Sequence, residues 1–192
     1  MGNQLTRIIN YVSLMKLKSN GHALDLQNKV EDSAKYLYKG TRDFIWSIDP
    51  INDELSKLFI HIRDFGEKLF EEKGINFRAF NEVKEVVKVP YGFSREANLI
   101  FKEGMANAFN HSEAKNVSFL VKQVGEEYEM KLEDDGKGFN TQAVDKPNGL
   151  KNMQTRSKRI NANLKIESTD SRGTIISLKF KSVKSRKHGI NR

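Results

Sequence analysis

Two pairs of short β-rich runs, each joined by a turn, constrain the fold of this 192-residue chain most strongly. Each run has four to eight residues with many β-branched or aromatic side chains, which is typical of the strands of antiparallel hairpins. The paired runs lie at 116–123 and 128–134, on either side of VGEE, and at 164–168 and 174–180, on either side of Asp170 and Gly173. The chain therefore contains a mostly antiparallel sheet.

Further strands are predicted at INFRAF (75–80) and EVVKV (85–89), and helices at 94–111 and from about 149 to 161. Helices that lie on one face of such a sheet form a two-layer α/β sandwich. The predicted class is therefore α+β, with the sandwich occupying residues 73–180 and a basic tail at 181–192.

Residues 1–72 differ from the rest of the chain in their predicted secondary structure, which is helical almost throughout. The first predicted helix is interrupted by the turn SNGHA (19–23), and a second helix follows until Pro50 ends it. Narrow apolar stripes mark the two helices, at Leu5, Ile8, Val12 and Met15 and then at Leu26, Val30, Leu37 and Phe44. Such stripes suit a helical hairpin, and two hairpins form a four-helix bundle. We therefore expect a homodimer, followed by a connecting helix from an N-cap at Asn52 to about Glu72.

Composition excludes several classes of protein. There is no cysteine, so disulfides and thiolate metal sites are impossible. No apolar run approaches the roughly 20 residues that cross a bilayer, so we expect a cytoplasmic chain, attached to a membrane only through an upstream region. The net charge of +8 is partly local, because KSVKSRKHGINR has five Lys or Arg and no acid. No aromatics alternate with these bases, which favours a solvated tail over a nucleic-acid-binding arm.

A polar stripe runs along the predicted helix at 94–111. Glu103, Asn107, Asn110 and His111 follow i, i+4, i+7 and i+8, so they share one helix face. Mg²⁺ prefers oxygen ligands and takes one or two from protein, with others from phosphate and water. An Asn oxygen suits that role, and a Glu one turn earlier can accept a proton. The stripe alone is equally typical of a solvated helix face.

Three glycine-containing segments follow the stripe. In LEDDGKGF (132–139), Asp134 ends a strand as an acceptor for a purine amino group, and Gly136 and Gly138 permit a tight bend. In NGLKNMQTR (148–156), Gly149 opens a helix whose free N–H groups favour a phosphate, and Arg156 faces either ligand or solvent. RGT brings Thr174 into the last strand. Each segment alone is also typical of an ordinary turn or helix start.

In this order and spacing, the four segments resemble the nucleotide-binding motifs of the Bergerat ATP-binding fold. EGMANAFNHSEAKNV resembles its N-box, EDDGKGF and NGLKNM its two glycine boxes, and RGT its closing Gly-Thr. Sensor histidine kinases, heat-shock-90 chaperones, type II topoisomerases and mismatch-repair ATPases share that fold. The resemblance covers roughly residues 73–180 and implies ATP and Mg²⁺ as ligands.

The resemblance also implies a role for each matched residue. Glu103 is the catalytic base or polarising group, Asn107 is the magnesium ligand, and Asn110 and His111 lie beside the phosphates. Asp134 contacts adenine in a pocket shaped by Gly136 and Gly138, Gly149 and Leu150 face the phosphates, and the hydroxyl of Thr174 lies near the adenine. There are two departures, because Asn110 stands where Lys is frequent and Pro147 where the short lid, at about 140–148, often has glycine.

HSEAKNV and the segment DFIWSIDPINDELSKLFIHIRDF (43–65) resemble histidine kinases of the nitrate-sensor type. There the phosphorylated histidine lies in H-D-x-[LM]-G, and this chain begins with Met1-Gly2. We therefore expect the acceptor histidine upstream of Met1. The resemblance implies transfer of the ATP γ-phosphoryl group to that histidine and then to a response regulator. Two alternatives stay open: another Bergerat-fold ATPase or anti-sigma-factor-type serine kinase, and a basic nucleic-acid-binding module.

Overall fold

The computed structural model describes residues 49–139, 148–169 and 172–183. Upstream it describes only five pairs of helical residues, at 7–8, 10–11, 29–30, 33–34 and 45–46. The chain divides into two compact units, Met1–Asp49 and Pro50–Arg192. The predicted helical hairpin therefore lies largely outside the described residues, as do the lid at 140–147 and the tail beyond 183.

A five-stranded sheet forms the second unit's framework, with strand order β1-β2-β3-β5-β4. The strands are β1 (Asn76–Asn81), β2 (Asn116–Val124), β3 (Glu127–Asp134), β4 (Asn163–Ser168) and β5 (Thr174–Phe180). β1 runs parallel to β2, and every other neighbouring pair is antiparallel. Both predicted hairpins are confirmed. The pairing of β3 with β5 joins them and sets Asp134 opposite Thr174.

Three α-helices pack against one face of this sheet. They are α1 (Leu55–Glu71), α2 (Phe93–Asn107) and α3 (Asn148–Arg159), with a short 3-10 helix at Pro50–Asn52 and a π-helix at Ala108–Ser112. The α+β class is confirmed.

The core lies between the helices and alternate residues of the central strands. Phe119 of β2 is fully buried, with its ring centroid 5.1 Å from that of Phe101 in α2 and 5.8 Å from that of Phe59 in α1. Burying a side chain of this size stabilises the fold by roughly 1.5–3 kcal/mol. The connecting helix, which we grouped with the N-terminal helices, belongs to this unit, since Phe70 of α1 stacks on Phe77 of β1.

The strand predicted at 85–89 is wrong. Among the described residues, this segment forms only an isolated bridge between Glu54 and Lys88. Its backbone pairs with the chain before α1 instead, because Leu55 N–H donates to Val87 O at 2.9 Å and Val89 N–H donates to Asp53 O at 3.2 Å. Val87 and Val89 are buried there, so their alternation reflects packing beside α1 rather than membership of the sheet.

The start of α1 also differs from its prediction. Asn52 lies in the 3-10 helix, and Glu54 occupies the N-cap position. The backbone N–H of Asp53 donates to Pro50 O at 3.1 Å, which uses these residues in a tight turn before the helix begins. No helix among the described residues is long and apolar enough to span a membrane.

Candidate functional site

A cavity of about 570 Å³ lies between α2, α3 and the sheet. Its volume falls within the roughly 300–1,000 Å³ of ordinary ligand pockets. Eight of the ten residues predicted for the site line it, namely Glu103, Asn107, His111, Asp134, Gly138, Gly149, Leu150 and Thr174. Apolar side chains from both layers, Leu132, Met153, Ile166 and Ile176, complete much of its wall. The cavity thus combines an apolar surface with a few polar groups.

Asp134 supplies a buried acceptor to this cavity, with 8% of its surface exposed. It is the last residue of β3, and its Oδ1 accepts a hydrogen bond from the backbone N–H of Gly136 at 3.0 Å. Burial raises the pKa of the Asp134 carboxyl, although the hydrogen bonds from Gly136 and Thr174 act in the opposite direction. A buried carboxylate of this kind gains from a further hydrogen-bond donor on a ligand.

Ser168 contacts Thr174, which in turn hydrogen-bonds to Asp134. We did not predict Ser168 as a site residue from the sequence. Its Oγ lies 3.1 Å from Thr174 Oγ1, donates to Gly173 O at 2.8 Å and accepts from Phe139 N–H at 2.9 Å. It therefore links β4, β5 and the glycine segment after β3. The only signal in the sequence is its place at the end of β4, directly opposite Thr174.

The two neighbouring aspartates have different roles. Asp135 Oδ1 accepts from the backbone N–H groups of Lys115 and Asn116 at 2.8 and 2.9 Å, and Oδ2 accepts from the Asn116 side chain at 2.7 Å. The hydrogen bond from the Asn116 side chain is the largest cause lowering the pKa of Asp135. Asp135 therefore ties the segment to β2 and leaves Asp134 to face the cavity.

The glycine segment lies against the end of the polar stripe. Gly136 does not line the cavity; it is buried against the backbone of Ser112, where a side chain would collide with the Ser112 carbonyl. Lys137 N–H donates to that same carbonyl at 2.8 Å. Gly138 lines the cavity with φ of +66°, a backbone conformation that favours glycine.

The polar stripe is interrupted by the π-helix at Ala108–Ser112, which directly follows α2. Glu103, Asn107 and His111 line the cavity, but Asn110 is exposed outside it. A π-turn holds more residues than the 3.6 of an α-helix, so the spacing that put Asn110 and His111 on one face does not apply here.

Lys73 contacts the π-helix through Phe109. Its Nζ donates to Phe109 O at 2.6 Å and lies 4.0 Å from the centroid of the Phe109 ring.

Glu103 lies against the start of α3. A Cβ atom built on Gly149 would meet the Glu103 carboxylate, with the carboxyl carbon at 3.2 Å. The absent side chain at Gly149 therefore makes room for that carboxylate beside the first turn of α3, where free N–H groups favour an anion. Leu150 follows as a buried part of the cavity wall.

Arg156, for which the sequence left two orientations open, does not line the cavity and is only partly exposed. Its Nη1 donates to Glu96 Oε2 at 2.9 Å. Lys137 is the only Lys or Arg among the described residues lining the cavity, and its Nζ lies 2.8 Å from Glu113 Oε1.

A metal site made by protein ligands alone is absent from the part of the chain that the structure describes, where no three His, Cys, Asp or Glu side chains cluster suitably. The donors in the cavity fit a magnesium ion that is bound mainly through a phosphorylated ligand. Asn107 offers an amide oxygen, and Mg²⁺ typically takes only one or two ligands from protein in such sites.

No protein-family model matches the chain. Among curated proteins, it is 30% identical over 139 residues to the sensor protein VraS of Staphylococcus saprophyticus, covering 66% of this chain and 40% of the relative. The VraS of Staphylococcus haemolyticus is 27% identical over 139 residues, with the same coverage. The chain thus spans less than half the length of these relatives.

Solved structures of histidine kinases share the fold. The histidine kinase AdeS of Acinetobacter baumannii matches with a TM-score of 0.60 at 15% identity, covering 93% of this chain and 94% of the AdeS chain in that structure. The kinase domain of the blue-light-activated histidine kinase of Erythrobacter litoralis EL346 matches with a TM-score of 0.57 at 14% identity, covering 94% of each chain. The chain is related in sequence to sensor proteins of the VraS type and has the fold of histidine kinase domains.

Proposed function

We propose that this chain is the ATP-binding catalytic core of a two-component sensor histidine kinase. The observation that carries the proposal is that Asp134 and Asn107, which lie far apart in the sequence, line one cavity. An acceptor for a purine amino group and an amide ligand for a phosphate-bound cation therefore share a single ligand-sized space. The sequence relationship to VraS sensor proteins and the fold shared with histidine kinase domains support the same conclusion.

The base of ATP would lie against Asp134. Its buried carboxylate, held by Gly136 N–H and the Thr174 hydroxyl, accepts a hydrogen bond from the exocyclic amino group of adenine. Leu132, Ile166 and Ile176 offer apolar surface to the ring. This combination selects adenine over a purine with a carbonyl at the same place, because two facing acceptors would repel each other and leave polar groups unpaired.

The phosphates would lie toward α2 and the start of α3. Asn107 would hold Mg²⁺, which neutralises phosphate charge when bound. His111 and the first turn of α3 at Gly149–Leu150 offer hydrogen-bond donors on the same cavity wall. Asn110 is left out of the proposed site because its side chain is exposed elsewhere.

Glu103 is the proposed catalytic base. Its carboxylate lines the cavity beside Asn107 and α3, where it can accept a proton from an attacking imidazole or polarise it. In the transfer, a bond forms between the imidazole nitrogen and the γ-phosphorus, and the bond from that phosphorus to the departing ADP oxygen breaks. Catalysis of this kind depends mainly on positioning and charge neutralisation.

The partners follow from this assignment as further proposals. The N-terminal helices within residues 1–72 would form a homodimer, and the phosphoryl group would pass from the acceptor histidine to a response regulator. The chain would work in the cytoplasm as part of a longer protein, attached to a membrane only through the upstream region, and we propose no nucleic-acid partner.

Calorimetric titration with a non-hydrolysable ATP analogue, with and without Mg²⁺, tests the site. Asn107→Ala should abolish most of the magnesium-dependent affinity. Asn110→Ala is the matched control, because it removes the same amide three residues away from a side chain outside the cavity, and it should bind like the wild type. Equal affinities for the wild type and both variants would reject the proposed site.

The chemistry needs a second measurement. The full-length protein that carries this chain should form acid-labile, base-stable phosphohistidine from ATP, and Glu103→Gln should slow its formation while leaving ATP bound. Release of inorganic phosphate without any phosphoprotein would instead indicate an ATPase of the same fold.

A further inference from the structure

We propose that Glu96 and Arg156 are positioning residues, which fix the register of α3 on α2 and thereby hold Gly149 opposite Glu103. Neither residue lines the cavity. The inference rests on the proposed function for its consequence in catalysis, but the register itself can be measured without any activity.

α2 and α3 contact each other at two places, and the two contacts are the same number of residues apart on both helices. Glu96 and Glu103 lie seven residues apart on α2, and Gly149 and Arg156 lie seven residues apart on α3. Glu96 contacts Arg156, and Glu103 lies against Gly149. The helices therefore run antiparallel, and two turns of helix, roughly 10 Å, separate the contacts.

The ion pair is suited to setting the register because its carboxylate is buried. Glu96 is 7% exposed, and its Oε2 lies 2.9 Å from Arg156 Nη1 and 3.8 Å from Arg159 Nη1. A charge removed from water needs a partner with good geometry. A shift of α3 by one residue would move it about 1.5 Å and rotate it by about 100°, and Arg156 would then no longer face Glu96.

The same shift would disturb the catalytic carboxylate. Gly149 is the position at which α3 leaves room for Glu103, and its neighbours Asn148 and Leu150 both carry side chains. Bringing either of them opposite Glu103 would displace its carboxylate from the cavity wall. The pair at Glu96 and Arg156 therefore controls, from two turns away, where the proposed base lies.

The kinetic test uses the full-length protein carrying this chain. Glu96→Gln and Arg156→Gln should each lower the phosphotransfer rate by about 10- to 100-fold, the effect of a misplaced catalytic group. The affinity for ATP should change by less than about threefold, because Asp134 and Asn107 are untouched. Lys158→Gln is the matched control, since it removes one positive charge from the exposed face of the same helix and should leave the rate unchanged.

Two further measurements separate positioning from a general loss of stability. The charge-reversed double variant, Glu96→Arg with Arg156→Glu, should recover at least part of the rate. Amide hydrogen exchange at Asn152 and Met153, the first amides of α3 that its own hydrogen bonds protect, should accelerate in Glu96→Gln but not in Lys158→Gln. Unchanged exchange in Glu96→Gln, or a rate equal to that of the Lys158→Gln control, would overturn the inference. Wild-type protein without ATP binding or phosphotransfer, but with this exchange pattern, would refute the proposed function and leave the positioning of α3 in place.

Discussion

Asp134→Asn offers the sharpest test of the proposed contact with the base, because it changes an acceptor into a donor while nearly preserving shape. The amide oxygen of the new side chain can keep the hydrogen bond from Gly136 N–H, which is 3.0 Å long in the structure. The NH₂ group then takes the place of the second carboxylate oxygen. Where adenine presents its amino group, the variant presents a second donor.

The size of the effect follows from the burial of this group. A hydrogen bond to a charged group contributes roughly 1.5–3 kcal/mol, and an unsatisfied buried donor costs a further ~1–3 kcal/mol. With Asp134 only 8% exposed, water cannot fully replace the lost partner. We expect ATP affinity to fall by at least about 2 kcal/mol, or roughly 30-fold in Kd.

Inosine triphosphate makes the test specific, because it carries a carbonyl where adenine carries the amino group. The NH₂ group introduced by Asp134→Asn can donate to that carbonyl, so the variant should lose its preference for ATP and bind the inosine nucleotide as well or better. Calorimetric titration of both nucleotides at one Mg²⁺ concentration, on wild type and variant, measures the ratio. A variant that keeps the wild-type ratio of the two affinities would show that Asp134 does not contact the base.

Three further predictions concern the stability of the nucleotide-free protein, the contact between Gly149 and Glu103, and the core around Phe119. Because burial raises the pKa of Asp134, the folded state holds that proton more tightly than the unfolded state, so this group's contribution to stability falls as pH rises from its ordinary range through the raised pKa. Asp134→Asn should therefore unfold at higher denaturant than the wild type at neutral pH without nucleotide, and this advantage should shrink as the pH is lowered toward 4; an advantage that grows on acidification would contradict the sign. Gly149→Ala should slow phosphotransfer by displacing the Glu103 carboxylate, but should cost less in a Glu103→Asp background, whose shorter side chain leaves room for the methyl group; a double-mutant cycle with strictly additive effects would rule out the contact. Phe119→Ala removes a fully buried ring between α1 and α2 and should lower the free energy of unfolding by about 3–5 kcal/mol in denaturant titrations, whereas a loss below about 1 kcal/mol would mean that this core is misassigned.

The hairpins and most of the cavity could be predicted because their signals are local. β2 and β3 have the strand composition and turn that define a hairpin, and they begin and end within a residue of the predicted bounds. Asp134 ends β3, Gly149 lies in the first turn of α3, and Gly138 lies in the turn segment after β3; such positions can be identified in a single sequence. Sheet pairing then brings these local features to one cavity.

The contacts that escaped prediction join elements through packing rather than through a local pattern. Ser168 braces Thr174 across β4 and β5, and Glu96 meets Arg156, which lies 60 residues later in the chain. Neither contact has a periodic pattern, since each depends on how whole elements pack. The strand predicted at 85–89 was wrong for a related reason. Val87 and Val89 alternate as they would in a strand, but they are buried beside α1 rather than in the sheet.

Asn110 shows a different limit. The stripe was placed with the period of an α-helix, and that period holds from Glu103 to Asn107, where α2 ends. The π-helix then brings His111 to the cavity and leaves Asn110 exposed. A sequence pattern predicts which residues share a face only as long as the helix keeps its ordinary geometry.

Three departures from ordinary local structure lie at the cavity. A carboxylate is buried at Asp134, an α-helix widens into a π-helix at Ala108–Ser112, and Gly138 takes a left-handed conformation. The first two have a local cost, because a buried carboxylate loses its hydration and π-turns are rare, and the third requires glycine at position 138. Proteins retain such features mainly where function requires them. Because all three border one ligand-sized space, they support the proposed site independently of any resemblance to another protein.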